Sequence, residues 1–95
     1  MKTVTIFYLE NCPYCKNAER ALSSLLEEKP AYQGVTVRWV EESREAAEAE
    51  KYDYYYVPTA FLEEKKIFEA SPRDTYDTLR EKLDLAFAAA LEGEN

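Results

Sequence analysis

The chain opens on a segment that is apolar on both sides. Within residues 2–9, Val4, Ile6 and Tyr8 fall on one side of an extended backbone, and Phe7 and Leu9 fall on the other with Thr5. A strand with two apolar faces predicts a central place in a sheet. Glu10 and Asn11 end it. From Pro13 the period changes to that of a helix. Ala18, Ala21, Leu22, Leu25 and Leu26 form one stripe, opposite Lys16, Glu19, Arg20, Glu27 and Glu28. Pro13 suits the first helical turn, where its missing N–H is no loss. Pro30 ends the helix by disfavouring helical geometry at Lys29.

Gln33-Gly34 reads as a turn. Val35, Val37 and Trp39 then alternate with Thr36 and Arg38, which predicts a strand with one polar face. A helix is expected next, capped by Ser43 and running through Ala46, Ala47 and Ala49 to about Lys51. Residues 41–53 are strongly acidic and read as a solvated helix face in preference to a docking patch. Residues 52–56 hold four tyrosines and lead into Val57-Pro58-Thr59. Residues 60–62 and 66–68 flank Glu63-Glu64-Lys65 and predict a β-hairpin with a charged tip. Ser71-Pro72 with Asp74 two positions on marks a helix start. Tyr76, Leu79, Leu83, Ala86, Phe87 and Ala90 give that last helix its buried stripe, and residues 92–95 are expected to fray. The order is β-α-β-α-β-β-α, an α/β class. Trp39 is expected in the core.

Length and composition narrow the function. The 95 residues fit one domain, 1–95, and 46% hydrophobic residues exclude a disordered segment. Twelve basic against 19 acidic residues, a net charge of −7, argue against nucleic acid and against an anionic membrane surface. The stretch 3–9 is far short of the ~20 apolar residues of a membrane span, and no leader pattern precedes it. The reading is a cytoplasmic monomer. The chain has no histidine, which removes the commonest general base and metal ligand.

The two cysteines, Cys12 and Cys15, stand three apart between the first strand and the first helix. A structural disulfide closing so short a loop would constrain little of the unfolded chain. Zinc needs four ligands, so two thiolates serve it only by bridging two chains. A redox dithiol is the third reading, and a β-α-β context is the one it requires. Cys12 would stand at the helix N-terminus, where free backbone N–H groups point outward, and Cys15 one turn inside.

The stretch Tyr8-Leu9-Glu10-Asn11-Cys12-Pro13-Tyr14-Cys15-Lys16 resembles the Cys-Pro-Tyr-Cys site of dithiol glutaredoxins, within the thioredoxin-fold superfamily. Lys51-Tyr52 followed by Val57-Pro58-Thr59 is similar to the segment bearing their cis-proline loop. The resemblance spans about residues 2–88. It implies a four-stranded mixed sheet in order 2-1-3-4 with helices on both faces, and a cis Pro58 facing the dithiol. It implies a thiol–disulfide oxidoreductase that reduces protein or glutathione mixed disulfides, with Cys12 as nucleophile and Cys15 as resolving thiol. Pro13, Tyr14, Lys16, Tyr56, Val57 and Pro58 would meet the substrate; by analogy of position Tyr54 would lie in the core and Tyr52 on the sheet, while Tyr55 and Tyr56 either line the substrate groove or cover the sheet end. No bound cofactor is expected. Glutathione or a thioredoxin-reductase-like flavoprotein would supply electrons, and the partners would be disulfide-containing proteins. The alternative is an iron–sulfur or metal carrier bridging two chains through Cys12. Family members that bind glutathione usually have two glycines followed by a small or acidic cluster before the last helix. Here that stretch reads Phe68-Glu69-Ala70-Ser71-Pro72-Arg73-Asp74, with no glycine. Poor use of glutathione is therefore expected, unless Ser71 and Asp74 hold the γ-glutamyl group and Lys16 the glycyl carboxylate.

Overall fold

The structure, a computed structural model, describes residues 3–92. Lys2, which the sequence assigns to the first strand, and residues 93–95, expected to fray, lie outside the described residues. The strands are β1 (Thr3–Tyr8), β2 (Thr36–Glu41), β3 (Thr59–Leu62) and β4 (Lys65–Glu69). The α-helices are α1 (Pro13–Glu28), α2 (Ala46–Ala49) and α3 (Tyr76–Glu92). The sheet order is β2-β1-β3-β4, with β1 parallel to β2 and antiparallel to β3, and β3 antiparallel to β4. This is the thioredoxin-like mixed sheet that the resemblance implies.

The two apolar faces of β1 explain its central place. On one face Val4 and Ile6 are fully buried with Ala18 and Leu25 of α1 and Leu83 and Phe87 of α3. On the other, Phe7 joins Val40 and Phe61 in a smaller core that Tyr52, Tyr54 and Val57 close. Tyr54 stacks on Phe7 at 4.9 Å between centroids and remains half-buried, so it lids this core and does not lie inside it. Trp39 is also half-buried, edge-on to Tyr8 at 5.6 Å. It sits on β2, which among the described residues is an edge strand with no neighbour beyond it, and so does not reach the centre.

Local chemistry moves other boundaries. Pro30 ends α1 and also starts a 3-10 helix over Pro30–Gly34, which seats Tyr32 against Phe87. The hairpin tip is Glu63-Glu64, and Glu63 takes a left-handed φ of 55° without being glycine. Thr3 holds it there: the Glu63 N–H donates to the Thr3 carbonyl at 3.0 Å, and the Glu63 carboxylate accepts from the Thr3 N–H at 2.9 Å. Ser43 does not cap α2; it donates its hydroxyl to Glu41 at 2.6 Å, and the helix shrinks to Ala46–Ala49. Ser71 does not cap α3 either. The Asp74 carboxylate turns back to the Ser71 N–H at 2.7 Å, and α3 begins four residues after Pro72. Thr75 and Thr78 cap it reciprocally, each hydroxyl accepting the other's N–H, at 3.3 and 2.8 Å.

Candidate functional site

The C-terminal ends of the parallel strands β1 and β2 open onto the same edge, the usual place for chemistry in such sheets. After β1 the chain turns back sharply, with the Cys12 N–H bonded to the Leu9 carbonyl at 3.3 Å. Cys12 becomes the N-cap of α1 with an extended backbone, and Pro13 is the first helical residue. A cap side chain satisfies an N–H that the first turn leaves free. Here the cap is a sulfur: the Cys15 N–H donates to Cys12 Sγ at 3.3 Å.

The two thiols occupy different surroundings. Cys12 is partly exposed, whereas Cys15 is 2% exposed. Burial pushes the Cys15 thiol up, and the Cys12 sulfur beside it adds to the effect. The Leu9 N–H reaches Cys15 Sγ at 3.5 Å, so a backbone donor already faces the inner sulfur. Both cysteines are free thiols.

The second half of the site comes from the segment before β3. The Val57–Pro58 peptide is cis, Pro58 is buried, and the Val57 carbonyl lies 3.7 Å from Cys12 Sγ. Thr59 is fully buried and its hydroxyl donates to the Tyr56 carbonyl, tying the loop to itself. Tyr56 is exposed beside this loop. Tyr14 is half-buried and donates its hydroxyl to the Pro72 carbonyl at 3.0 Å, closing α1 onto the turn before α3. Pro13 and Lys16 are exposed. Cys12, Cys15, Val57 and Pro58 therefore converge. The Lys16 N–H donates to the Cys12 carbonyl at 3.0 Å within α1, while among the described residues no hydrogen bond or ion pair links its ammonium to either sulfur.

Glu41 belongs to this site and the sequence reading passed over it. It ends β2, is 7% exposed, and binds on both oxygens. Oε1 accepts the Ser43 N–H and hydroxyl at 2.7 and 2.6 Å, and Oε2 accepts the Glu10 N–H at 3.2 Å. The Ser43 hydroxyl is the main reason that its carboxyl sits below the ordinary glutamate range. Glu41 thus fastens the loop carrying Cys12 to the end of β2, and an ion pair between Glu10 and Arg44 spans the same gap. These groups line an open cleft of about 350 Å³ beside Cys12. Only the pairing of two parallel strand ends could have signalled Glu41, since its neighbours in sequence are equally acidic. Among the described residues no group of three or more Cys, Asp or Glu side chains is placed to hold a metal ion.

The turn before α3 differs from the expectation set for it. Asp74 has a side chain only 5% exposed and is fully engaged: Ser71 N–H at 2.7 Å, the Thr78 hydroxyl at 2.8 Å and Lys82 Nζ at 2.8 Å. Burial acts to raise its carboxyl, but Lys82, Thr78 and Ser71 outweigh it and hold it below the ordinary range. Glu69 is likewise engaged, accepting the Tyr55 and Tyr56 N–H groups at 2.5 and 2.7 Å and pairing with Lys66 at 2.9 Å.

The glutaredoxin family model matches residues 4–67 of this chain. Among solved structures the chain is similar to the zinc-bound form of human ERp44, with 18% identity and a TM-score of 0.59 over 90% of this chain and 26% of that one. The chain thus spans about a quarter of that protein's length. It is also similar to an uncharacterized thioredoxin-like protein from Clostridium perfringens, with 24% identity and a TM-score of 0.56 over 90% of this chain and 70% of that one. At these identities the likeness is one of fold. No curated protein sequence matches significantly. The family match covers more than half of the chain, from β1 through the dithiol and the cis-proline loop into β4; the chain belongs to the glutaredoxin family of thiol–disulfide oxidoreductases.

Proposed function

We propose that the chain reduces protein disulfides through a Cys12/Cys15 dithiol–disulfide cycle and uses glutathione mixed disulfides poorly. The observation that carries the reading is the pairing of a partly exposed Cys12 sulfur, capped by the Cys15 N–H at 3.3 Å, with a buried Cys15 thiol. The Cys12 thiolate attacks one sulfur of the substrate disulfide. A Cys12–substrate disulfide forms and the other substrate sulfur leaves as a thiolate, which takes a proton. Cys15 then loses its proton and attacks Cys12 Sγ. The Cys12–Cys15 disulfide forms and the second substrate thiol departs. Two electrons and two protons pass from the dithiol to the substrate. The Leu9 N–H is positioned to meet charge on Cys15 as it forms.

Val57 presents the backbone edge that runs past Cys12, and an extended substrate segment can pair with it. Glutathione or a thioredoxin-reductase-like flavoprotein returns the two electrons. The engaged Asp74 and Ser71 support the poor use of glutathione. Their hydrogen bonds to each other, to Thr78 and to Lys82 leave no free acid and no free N–H there for a γ-glutamyl group. Pro72, in the same turn, has no N–H to offer.

The test compares two rates on one sample: reduction of a protein disulfide and turnover of a glutathione mixed disulfide. The reading expects the first to be faster. Efficient turnover of the glutathione substrate would overturn the preference, and activity on neither substrate would overturn the oxidoreductase reading.

A further inference from the structure

The cis-proline loop runs into a surface that the dithiol cycle leaves unused. Tyr55 is 90% exposed and Tyr56 is 53% exposed. Aromatic side chains held in water next to a reactive centre are a common mark of a binding surface. Their backbone is fixed, because the Glu69 carboxylate accepts both N–H groups and is itself paired with Lys66. Tyr55, Tyr54 and Tyr52 line an open groove of about 320 Å³ that also carries Glu42 and Glu50. Glu42 accepts the Tyr54 hydroxyl at 3.1 Å. Among the described residues neither Glu42 nor Glu50 has a cationic partner. The nearby cations are engaged elsewhere: Arg44 with Glu10, Lys51 with Glu48 and Lys66 with Glu69. The groove therefore combines aromatic faces with uncompensated negative charge and holds no cation.

We infer that this groove docks a basic side chain of the disulfide-bearing partner, arginine above all, from a position a few residues from the partner's cysteine. The inference rests on the oxidoreductase reading and names its substrate class. A guanidinium stacks on a tyrosine face while its N–H groups donate to a carboxylate. The groove lies close along the chain to the chemistry. Tyr55 precedes Val57 by two residues, at most about 7.6 Å of backbone, and the Val57 carbonyl is 3.7 Å from Cys12 Sγ. A partner segment running along Val57 with its disulfide at Cys12 brings a side chain a few residues away over Tyr56 and Tyr55. The net charge of −7 steers the same kind of partner.

The experiment uses three disulfide peptides, identical except for Arg, Gln or Glu three residues from one cysteine. Their reduction rates are measured with the whole chain, with Glu42→Gln/Glu50→Gln, with Tyr55→Ala, and with Glu27→Gln/Glu81→Gln. The last variant makes the same charge change at exposed positions on α1 and α3. Gln at position 42 keeps an acceptor for the Tyr54 hydroxyl. The unaltered chain is expected to prefer the Arg peptide over the Glu peptide by about tenfold in kcat/KM. Both groove variants lose most of that preference, read for each variant as the ratio of its Arg-peptide to its Glu-peptide rate, and the control double variant retains it. Equal rates for the three peptides, or an equal loss in the control, overturn the inference and leave the oxidoreductase reading standing. A parallel arm titrates the same peptides, with Ser in place of Cys, into the Cys12→Ser protein. If no peptide is reduced, the oxidoreductase reading fails, and this arm decides docking alone. Tighter binding of the Arg peptide, lost in the groove variants, supports the groove; indifference to charge overturns it.

Discussion

The sulfur of Cys12 and the carbonyl oxygen of Val57 stand 3.7 Å apart, joining the start of α1 to the loop before β3 across 45 positions of sequence. Behind that contact Cys15 is buried, and burial with the Cys12 sulfur beside it keeps the inner thiol protonated. The outer thiol therefore meets a reagent first. Alkylation of the reduced protein near neutral pH is expected to label Cys12 at least about tenfold faster than Cys15. Mass spectrometry of the singly labelled product reads the site. Equal labelling would contradict the division of roles.

Glu41 is a positioning residue in this account. Its two oxygens hold the Glu10 N–H, the Ser43 N–H and the Ser43 hydroxyl. In Glu41→Ala, amide exchange at Glu10 and Ser43 is expected to accelerate by about tenfold or more while exchange in α3 stays unchanged. Glu41→Gln keeps acceptor capacity and is expected to restore part of the protection. Exchange at Glu10 that ignores the substitution would show that the loop carrying Cys12 is held by other means.

Much of this frame is readable in the chain itself. The two-sided apolarity of β1, the stripe of α1 and the proline after the first cysteine are local signals, and each sits where the structure has it. The deviations arise where a side chain bonds across the fold or back onto its own turn. Asp74 closes a turn onto Ser71 and so moves the start of α3 to Tyr76. Glu63 holds a left-handed φ because Thr3, on another strand, grips its backbone and carboxylate. Trp39 is half-open because β2 lies at the sheet edge, which alternation alone does not reveal. The Tyr32 hydroxyl bonds Asp84 at 2.5 Å, over 52 positions, and no local pattern announces it.

Acid is expected to loosen the turn before α3. Asp74 has its folded carboxyl below the ordinary range, with burial outweighed by Lys82, Thr78 and Ser71. A lowered folded value means stability that is present above the unfolded aspartate value and is lost as pH falls through the folded one. Thermal melts from about pH 6 to about pH 3 are expected to show a falling midpoint, and Asp74→Asn is expected to flatten part of that fall. At neutral pH the same variant is expected to cost about 1–3 kcal/mol, because a nearly buried ion-paired acceptor is lost. An Asp74→Asn melt with the same acid slope as the unaltered chain would contradict this assignment.

The end cap of α3 gives a separate check on the fold. Thr75 and Thr78 satisfy each other's N–H groups at the helix start. Thr75→Ala is expected to cost about 1 kcal/mol in denaturant unfolding without changing the rate of disulfide reduction. Ser71→Ala, at the start suggested by the sequence, is expected to cost less, since among the described residues its hydroxyl receives only the Arg73 N–H, at 3.3 Å. The reverse ranking would place the helix start at Ser71 after all.

The central claim is that Cys12 attacks and Cys15 resolves, and trapping the covalent intermediate tests it most directly. The reduced Cys15→Ser and Cys12→Ser proteins are each mixed with a disulfide-bonded protein, quenched in acid and resolved without reductant. The account predicts a mixed disulfide that accumulates with Cys15→Ser, because the resolving sulfur is gone, and none with Cys12→Ser, whose remaining thiol is buried. Accumulation with Cys12→Ser, or with neither variant, would contradict it.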